Sequence, residues 1–369
     1  MKEFKPEVKH GIVHRHTESL FRYNGWPTIC KDKRGVLYAA ASGFRLQHVD
    51  PAGKSILRIS RDEGETWSLP MILNDTFLDD RDTGILAYGD GKMIMSWFTL
   101  ADSCERHATY EWLPDPEKAM ILGMGSVLKH LTPEQTQMGS YVKMSNDYGF
   151  TWSERVRIPL TCPHGPSIMS DGSLIMLGKS LDDPEDINVP GRPIVAYKST
   201  DDGKTWTHVG TVPKPDDLIL DMMHEPHVIE LPNGRLLGAI RVHCRPVQPD
   251  FTVYTTFSDD GGHTWSMPQC IGVDGSPPHL MLHSSGAVIC SYARRRGDGD
   301  RSERAVISYD GGETWSEDYM LNDNVPFNDL GYPSSVELSD GSIFTIYYQC
   351  YPGDNFCSIL STKWRLNGK

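Results

Sequence analysis

Nothing in this chain of 369 residues reads as a membrane span, a secretion signal or a metal cage. The first fifteen residues are polar and charged, without the apolar core of a signal peptide. No later apolar run reaches the ~20 residues that a bilayer crossing needs. The expected setting is therefore cytoplasmic, or secreted if a leader has been removed, with no membrane partner. The eight cysteines, at 30, 104, 162, 244, 270, 290, 350 and 357, form no C-x-x-C pair. That spacing offers neither a zinc site nor a tight disulfide framework, and reduced thiols are expected. No Lys/Arg-rich tract offsets the net charge of −13. This argues against a nucleic-acid partner. It does not exclude an anionic ligand, because arginines can gather locally in an acidic protein. Low-complexity blocks and long runs of one charge are also missing.

What the chain does contain is a repeated word, Ser-x-Asp-x-Gly-x-Thr-Trp. It occurs five times, at Ser60–Trp67, Ser145–Trp152, Ser199–Trp206, Ser258–Trp265 and Ser308–Trp315. Each copy follows a short alternating run such as Ser55-Ile56-Leu57-Arg58-Ile59. The word has the chemistry of a turn. Its Gly can take positive φ, and its Asp can accept bonds from the turn's own N–H groups. The Trp is a large apolar body able to wedge between neighbouring sheets. Repetition at fixed positions makes this word a structural unit.

A second repeat interleaves with the first: a Pro, a spacer, then a Gly and an apolar strand. Copies run from Pro27 to Gly35, Pro226 to Gly234, Pro278 to Gly286 and Pro333 to Gly341. Pro166 to Gly172 is shorter, and Gly84 to Gly91 has Gly in place of the Pro. Asp-Gly, Asn-Gly and Ser-Gly turns are strong hairpin signals. Six hairpins, each followed by a third strand and in five cases by the box, predict an all-β, six-bladed β-propeller. The blades would cover about Trp26–Asn74, Asp80–Arg157, Pro163–Val212, Met222–Gln269, Gly275–Asp318 and Asn328 onward. Residues 1–369 are read as one such domain. Blade two carries an insertion, about 101–138, with a helix expected within Pro116–Leu131. Blade six lacks an intact box, and Ser361-Thr362-Lys363-Trp364 is at best a remnant. The segment before Trp26 is expected to close the last blade.

Propeller sites lie near the central axis, where innermost strands begin. The boxes belong on the rim and are expected to touch no substrate. Four segments at strand starts concentrate chemistry: Gln47-His48-Val49-Asp50-Pro51; His224-Glu225-Pro226-His227 with Arg241 beyond it; Arg294-Arg295-Arg296 with Arg304; and Asp329-Leu330-Gly331-Tyr332-Pro333. Carboxylates, arginines and a tyrosine on different blades suit an exo-acting hydrolase of an anionic sugar.

On these motifs the chain resembles the sialidase (neuraminidase) superfamily along essentially its whole length. The stretch His224-Glu225-Pro226-His227-Val228-Ile229-Glu230-Leu231-Pro232-Asn233-Gly234 is similar to the family's blade-four pattern, and Arg241 follows on the paired strand. Tyr332-Pro333-Ser334-Ser335-Val336-Glu337-Leu338-Ser339-Asp340-Gly341 is similar to the segment that opens the final blade, with Pro for Ser. The resemblance implies a retaining exo-α-glycosidase acting on sialic acid or a related acidic sugar. Tyr332 would be the nucleophile, Glu225 its base and Asp50 the acid/base, because a neutral tyrosine approaches an anionic anomeric centre more readily than a carboxylate does. Arg241 and Arg304 would fork onto the substrate carboxylate. No metal and no organic cofactor are implied.

One position departs from the family. The first clamp arginine is replaced at Gly25-Trp26-Pro27. Arg22, Arg45 and Arg81, the last beside Asp82, are candidate substitutes in substrate binding, and Trp26 could stack on a sugar ring. Taken singly, each of these residues also has a plain structural reading: Tyr332 as packing, Glu225 as a surface carboxylate, Asp50-Pro51 as a turn, Arg304 as half of an ion pair. His48, His224, His227 and His279 lack a diagnostic ligand spacing and read as polar lining rather than a metal site. Two further functions stay open. One is a hydrolase or lyase for another acidic sugar, such as a uronic or other nonulosonic acid. The other is a carbohydrate-binding propeller without catalysis. The partner in every case is an acidic glycan or glycoside, and the oligomeric state is left open.

Overall fold

The computed structural model describes residues 1–51, 53–100, 114–181, 191–243, 248–295 and 300–367. The chain forms a six-bladed β-propeller, with six separate sheets of at least four strands. Blade one shows the plan. Its strands are Tyr23–Lys31, Leu37–Arg45, Lys54–Ser60 and Met71–Asn74, paired antiparallel in that order from the axis outward. Innermost strands of the later blades are Asp79–Ala87, Ser167–Ile168, Met223–Glu230, His279–Leu282 and Leu330–Glu337. The six hairpin glycines all turn with positive φ, between 73° and 85°. A side chain in that conformation would be strained.

The chain's start closes the ring. Lys9–His14 pairs antiparallel with Cys357–Trp364 and becomes the outer strand of blade six. This is the expected closure, and it covers what would otherwise be an open sheet edge. Blade six therefore needs no turn after its third strand. Ser361-Thr362-Lys363-Trp364 is accordingly not a remnant box but the end of that strand, with Trp364 buried and its indole N–H donated to Thr345 Oγ1 at 2.9 Å. Lys2–Phe4 adds a further, parallel strand to the edge of blade five, against Glu317–Tyr319, which the sequence pattern did not reveal.

The core is a series of seams between blades. Trp265 packs with Ile175 and Leu177 of blade three and Val228 and Leu236 of blade four. Trp152 lies against a cluster drawn from blades one and two. Trp67 meets Phe344 of blade six, with ring centroids 6.2 Å apart. The box tryptophans therefore wedge between sheets. The boxes join third to fourth strands at the end of each blade remote from the start of the innermost strand, far from the axial site.

Each box is held by its own side chains. In Ser258–Trp265, Asp260 accepts from the Thr264 N–H at 2.8 Å and the Thr264 hydroxyl at 2.6 Å, and Ser258 Oγ donates to it at 2.8 Å. These bonds, the Thr264 hydroxyl first, lower Asp260 from 3.8 to about 2, and the equivalent Thr151 contacts do the same to Asp147. A carboxyl depressed on folding stabilises the fold above its unfolded value and loses that contribution as pH falls through the folded one. Urea midpoints should therefore decline as pH drops from 3.8 toward about 2. Asp260→Asn should make that decline shallower. A midpoint flat across this window would exclude the boxes as acid-labile elements.

The blade-two insertion contains a helix at Asp115–Leu128, one residue ahead of the expected stretch, with Pro114 before it and Asp115 and Glu117 in its first turn. Acidic groups there complement the helix dipole. Ile121 buries against Leu46, so the helix braces the loop after the second strand of blade one. Residues 101–113 of the insertion lie outside the described residues.

Candidate active site

Four innermost strands share a local defect near their starts. Trp26, Asp82, Glu225 and Tyr332 have φ of 52°, 51°, 43° and 51°, and each sits at a break in strand register. Non-glycine residues enter this region at a cost of about 1–3 kcal/mol and concentrate at functional sites. Pro27, Pro226 and Pro333 follow three of them, and a proline has no N–H to leave unpaired at a bulge. The bulge places four side chains from blades one, two, four and six around one axis.

Two of these residues form the centre. The Tyr332 hydroxyl donates to Glu225 Oε1 at 2.7 Å, and Arg241 Nη1 donates to Glu225 Oε2 at 2.6 Å. Tyr332 is 5% exposed. Burial, then the charge of Glu225, pushes its hydroxyl well above the ordinary tyrosine value. For Glu225 burial works upward, but the Arg241 charge and the Tyr332 bond prevail and hold the carboxyl at about 2. The site thus contains a protonated tyrosine, an ionised glutamate and a guanidinium in one chain of contacts. Asp82 stands beside them. Burial drives its carboxyl up to about 7, with the Glu225 charge reinforcing and the Arg81 charge opposing, and its Oδ1 has no hydrogen-bond partner.

Above this floor lies a pocket of about 300 Å³ lined by His48, Arg241, Phe251, Arg295, Asn328 and Asp329. The guanidinium carbons of Arg241 and Arg295 lie 5.0 and 4.9 Å from the Phe251 ring centroid. Two cations beside one aromatic ring make an anion-attracting wall. Arg295 also faces the fully buried carboxylate of Glu303, which burial pushes well above the usual glutamate range. A larger cavity of about 350 Å³ follows the inner strands farther along the axis. His164, His227 and His279 line it, whereas Arg241, which holds Glu225, lines the smaller pocket and not this one. His227 and His279 stack, His164 meets both edge-on, and burial lowers all three, which suits neutral lining. No cluster of three metal-ligating side chains occurs among the described residues.

The remaining candidates scatter. Asp50 is fully buried, and its carboxylate accepts the Leu46 N–H inside its own loop, so it does not open onto the pocket. Its neighbour His48 does. Arg304 is 1% exposed and committed to Asp318 at 2.8 Å and Glu3 at 2.5 Å on the outer side of blade five, away from the axis. Arg295, from the arginine run, stands in the pocket instead, and Arg296 lies outside the described residues. Arg45 is bound to Asp79, and Arg22 lies over Phe356 and donates to Asn355. Of the three suggested substitutes for the missing arginine, Arg81 comes nearest the centre. Its guanidinium lies 4.2 Å from the Trp26 ring centroid, and it influences Asp82. Trp26 is 2% exposed, packed edge-on to His48 and Tyr332. His224 pairs with Arg241 just before the bulge at Glu225, and burial, then the Lys179 charge, lowers its imidazole to about 4.

Six closed blades with repeated boxes at their outer turns define the class of box-repeat β-propellers. The chain belongs to the BNR repeat-like domain family, whose profile matches residues 165–352. No curated protein sequence matches it significantly. Among solved structures, it is similar to a protein of unknown function from Dyadobacter fermentans (19% identity, 98% of this chain and 99% of the other, TM-score 0.74). It is also similar to the intramolecular trans-sialidase of Ruminococcus gnavus solved with oseltamivir carboxylate (14%, 97% and 97%, 0.68). The NanB sialidase of Streptococcus pneumoniae is a third (13%, 96% and 70%, 0.66). At these identities the likeness shows the fold. Among the described residues, no helix is long and apolar enough to cross a membrane.

Proposed function

We propose that the protein is a retaining exo-glycosidase of the sialidase type acting on an acidic sugar. The observation that carries this reading is the contact of Tyr332 with Glu225 at 2.7 Å beneath a pocket walled by Arg241 and Arg295. Tyr332 Oη would attack the anomeric carbon while Glu225 takes its proton. Arg241 and Arg295 would receive the sugar carboxylate. A carboxylate nucleophile in Tyr332's place would meet that substrate charge with repulsion, whereas the protonated phenol does not. Asp82, whose Oδ1 has no hydrogen-bond partner, would bond a sugar hydroxyl. Sugar affinity alone would not require a tyrosine held on a glutamate.

Gly25 favours a second reading of the substrate. A Cβ there would touch Tyr23 at 3.4 Å and Tyr348 at 3.6 Å, so the first clamp position is given to aromatic packing. A sugar whose carboxylate needs only two arginines, such as a uronic acid, fits that wall as well. The test is a panel of aryl glycosides of sialic, other nonulosonic and uronic acids, followed by proton NMR of the first-released sugar. Release with retained configuration from at least one is expected. Inversion, or affinity without turnover on every member, would overturn the proposal.

A further inference from the structure

The pocket contains a histidine–aspartate pair that the tyrosine–glutamate chemistry leaves unused. His48 Nδ1 lies 3.0 Å from Asp329 Oδ1 and 2.9 Å from the Tyr23 hydroxyl. That hydroxyl in turn donates to Asp329 Oδ2 at 2.8 Å, and the Tyr348 hydroxyl donates to Oδ1 at 3.1 Å. The ionised carboxylate only accepts, so the imidazole must present a proton on Nδ1. Asp329 is well placed for that duty. Burial works against its charge, but the bond from His48 and those from the two tyrosines prevail and hold it at about 2. Trp26 fixes the other side of the ring, edge-on at 4.9 Å between centroids. No hydrogen bond among the described residues involves Nε2, and the His48 side chain is 45% exposed where it lines the pocket.

We propose that His48 is the acid/base group of the reaction, with Asp329 its positioning residue; this rests on the glycosidase reading above. The two carboxylates near the pocket are worse placed. Asp50 is turned into its loop. Asp82 is 4% exposed in the floor beside Glu225 and Tyr332. His48 instead lines the pocket together with Arg241 and Arg295, and its side chain is 45% exposed, so it can meet a leaving group there. In the first step the Tyr332 oxygen bonds to the anomeric carbon and the bond to the leaving oxygen breaks. Glu225 keeps the phenol proton, and protonated His48 gives its Nε2 proton to the leaving oxygen. In the second step neutral Nε2 takes a proton from water, and the water oxygen bonds to the anomeric carbon. The tyrosyl bond breaks as that bond forms, and Glu225 returns its proton to the Tyr332 oxygen. An imidazolium also suits an anionic substrate better than a carboxylate would.

The experiment compares a nitrophenyl glycoside of the accepted acidic sugar with its methyl glycoside. His48→Ala and His48→Gln should lose about 10²–10⁴-fold in kcat/KM on the methyl glycoside, the range for lost general acid help. On the nitrophenyl glycoside, whose leaving group needs no proton, kcat/KM should fall by less than about tenfold. Azide, a nucleophile with no proton to remove, should restore kcat there and give the glycosyl azide of retained configuration. Asp329→Asn should lower kcat on the methyl glycoside with KM little changed. Equal losses on both glycosides, or no azide product, would reduce His48 to pocket shape. A leaving-group-dependent loss in Asp82→Asn but not in the His48 variants would move the role to Asp82. Either result overturns this proposal while leaving the glycosidase reading intact. A wild-type protein inert on every acidic glycoside overturns both.

Discussion

Tyr332→Phe is expected to lower kcat/KM on any accepted glycoside by at least ~10³-fold, since a reaction that proceeds through the nucleophile loses most of its rate without it. Only one oxygen is removed, and the ring keeps its contacts with Trp26 and Tyr348. Folding should be unaffected, which far-ultraviolet circular dichroism and thermal unfolding would check. Glu225→Gln should cost about 10²–10⁴-fold, the share of a lost general base. The double variant should be little worse than Tyr332→Phe alone, because the two act as one unit. An apparent obstacle is that Glu225 rests at about 2, where it is a weak base. The main lowering influence is Arg241, which also lines the pocket. A substrate carboxylate that takes up Arg241 weakens its hold on Glu225, so the base strengthens when substrate arrives. Tyr332→Phe within tenfold of wild type would end the case for a tyrosyl intermediate.

The fold was legible in the sequence because its unit repeats. Hairpin glycines at 35, 91, 172, 234, 286 and 341 need positive φ, and the boxes need their Asp and Trp, so both leave marks at fixed spacing. The parallel strand Lys2–Phe4 left none, since three residues bonded to an existing edge carry no period. Glu225, Arg241 and Tyr332 were legible as candidates because strand starts on different blades face one axis. Arg304 illustrates the limit. It directly precedes the last box strand's apolar run, but it pairs with Tyr292, and both side chains reach Asp318 on the outer strand. Which side of a blade a residue faces depends on strand register, and a shift of one residue reverses it. Arg295, one residue past its strand, reaches the pocket instead. Asp50 and His48 are two residues apart in one loop, and which of them faces the pocket is decided by contacts that no local spacing reveals: the Leu46 N–H holds Asp50, while Tyr23 and Asp329 hold His48. A signal for the bulges was present: in Gly25-Trp26-Pro27, His224-Glu225-Pro226 and Gly331-Tyr332-Pro333 a Pro directly follows the bulged residue.

Asp79→Ala should be the most destabilising single change near the site, by about 3–5 kcal/mol, the usual cost of stranding a buried charge. Arg45 and Asp79 are both fully buried and joined by two bonds, 2.6 Å from Nη1 and 2.8 Å from Nη2. Gly53 closes over them, and a Cβ there would fall 1.8 Å from Arg45 Nη1. The guanidinium does more than neutralise Asp79. It donates to the Gln47 carbonyl at 3.3 Å and the His48 carbonyl at 3.2 Å, so it shapes the loop that presents His48. Stability and loop geometry can be separated. The double variant Arg45→Met with Asp79→Leu replaces a buried pair by apolar groups of similar size, which is often neutral or stabilising. It should recover most of the urea stability lost in Asp79→Ala. It cannot restore the two donors to the loop carbonyls, so its kcat on the unactivated glycoside should stay low. Full recovery of both would make the ion pair a stability device alone. Recovery of stability without kcat would make Arg45, which the sequence offered as a substrate ligand, a support for the loop that carries His48.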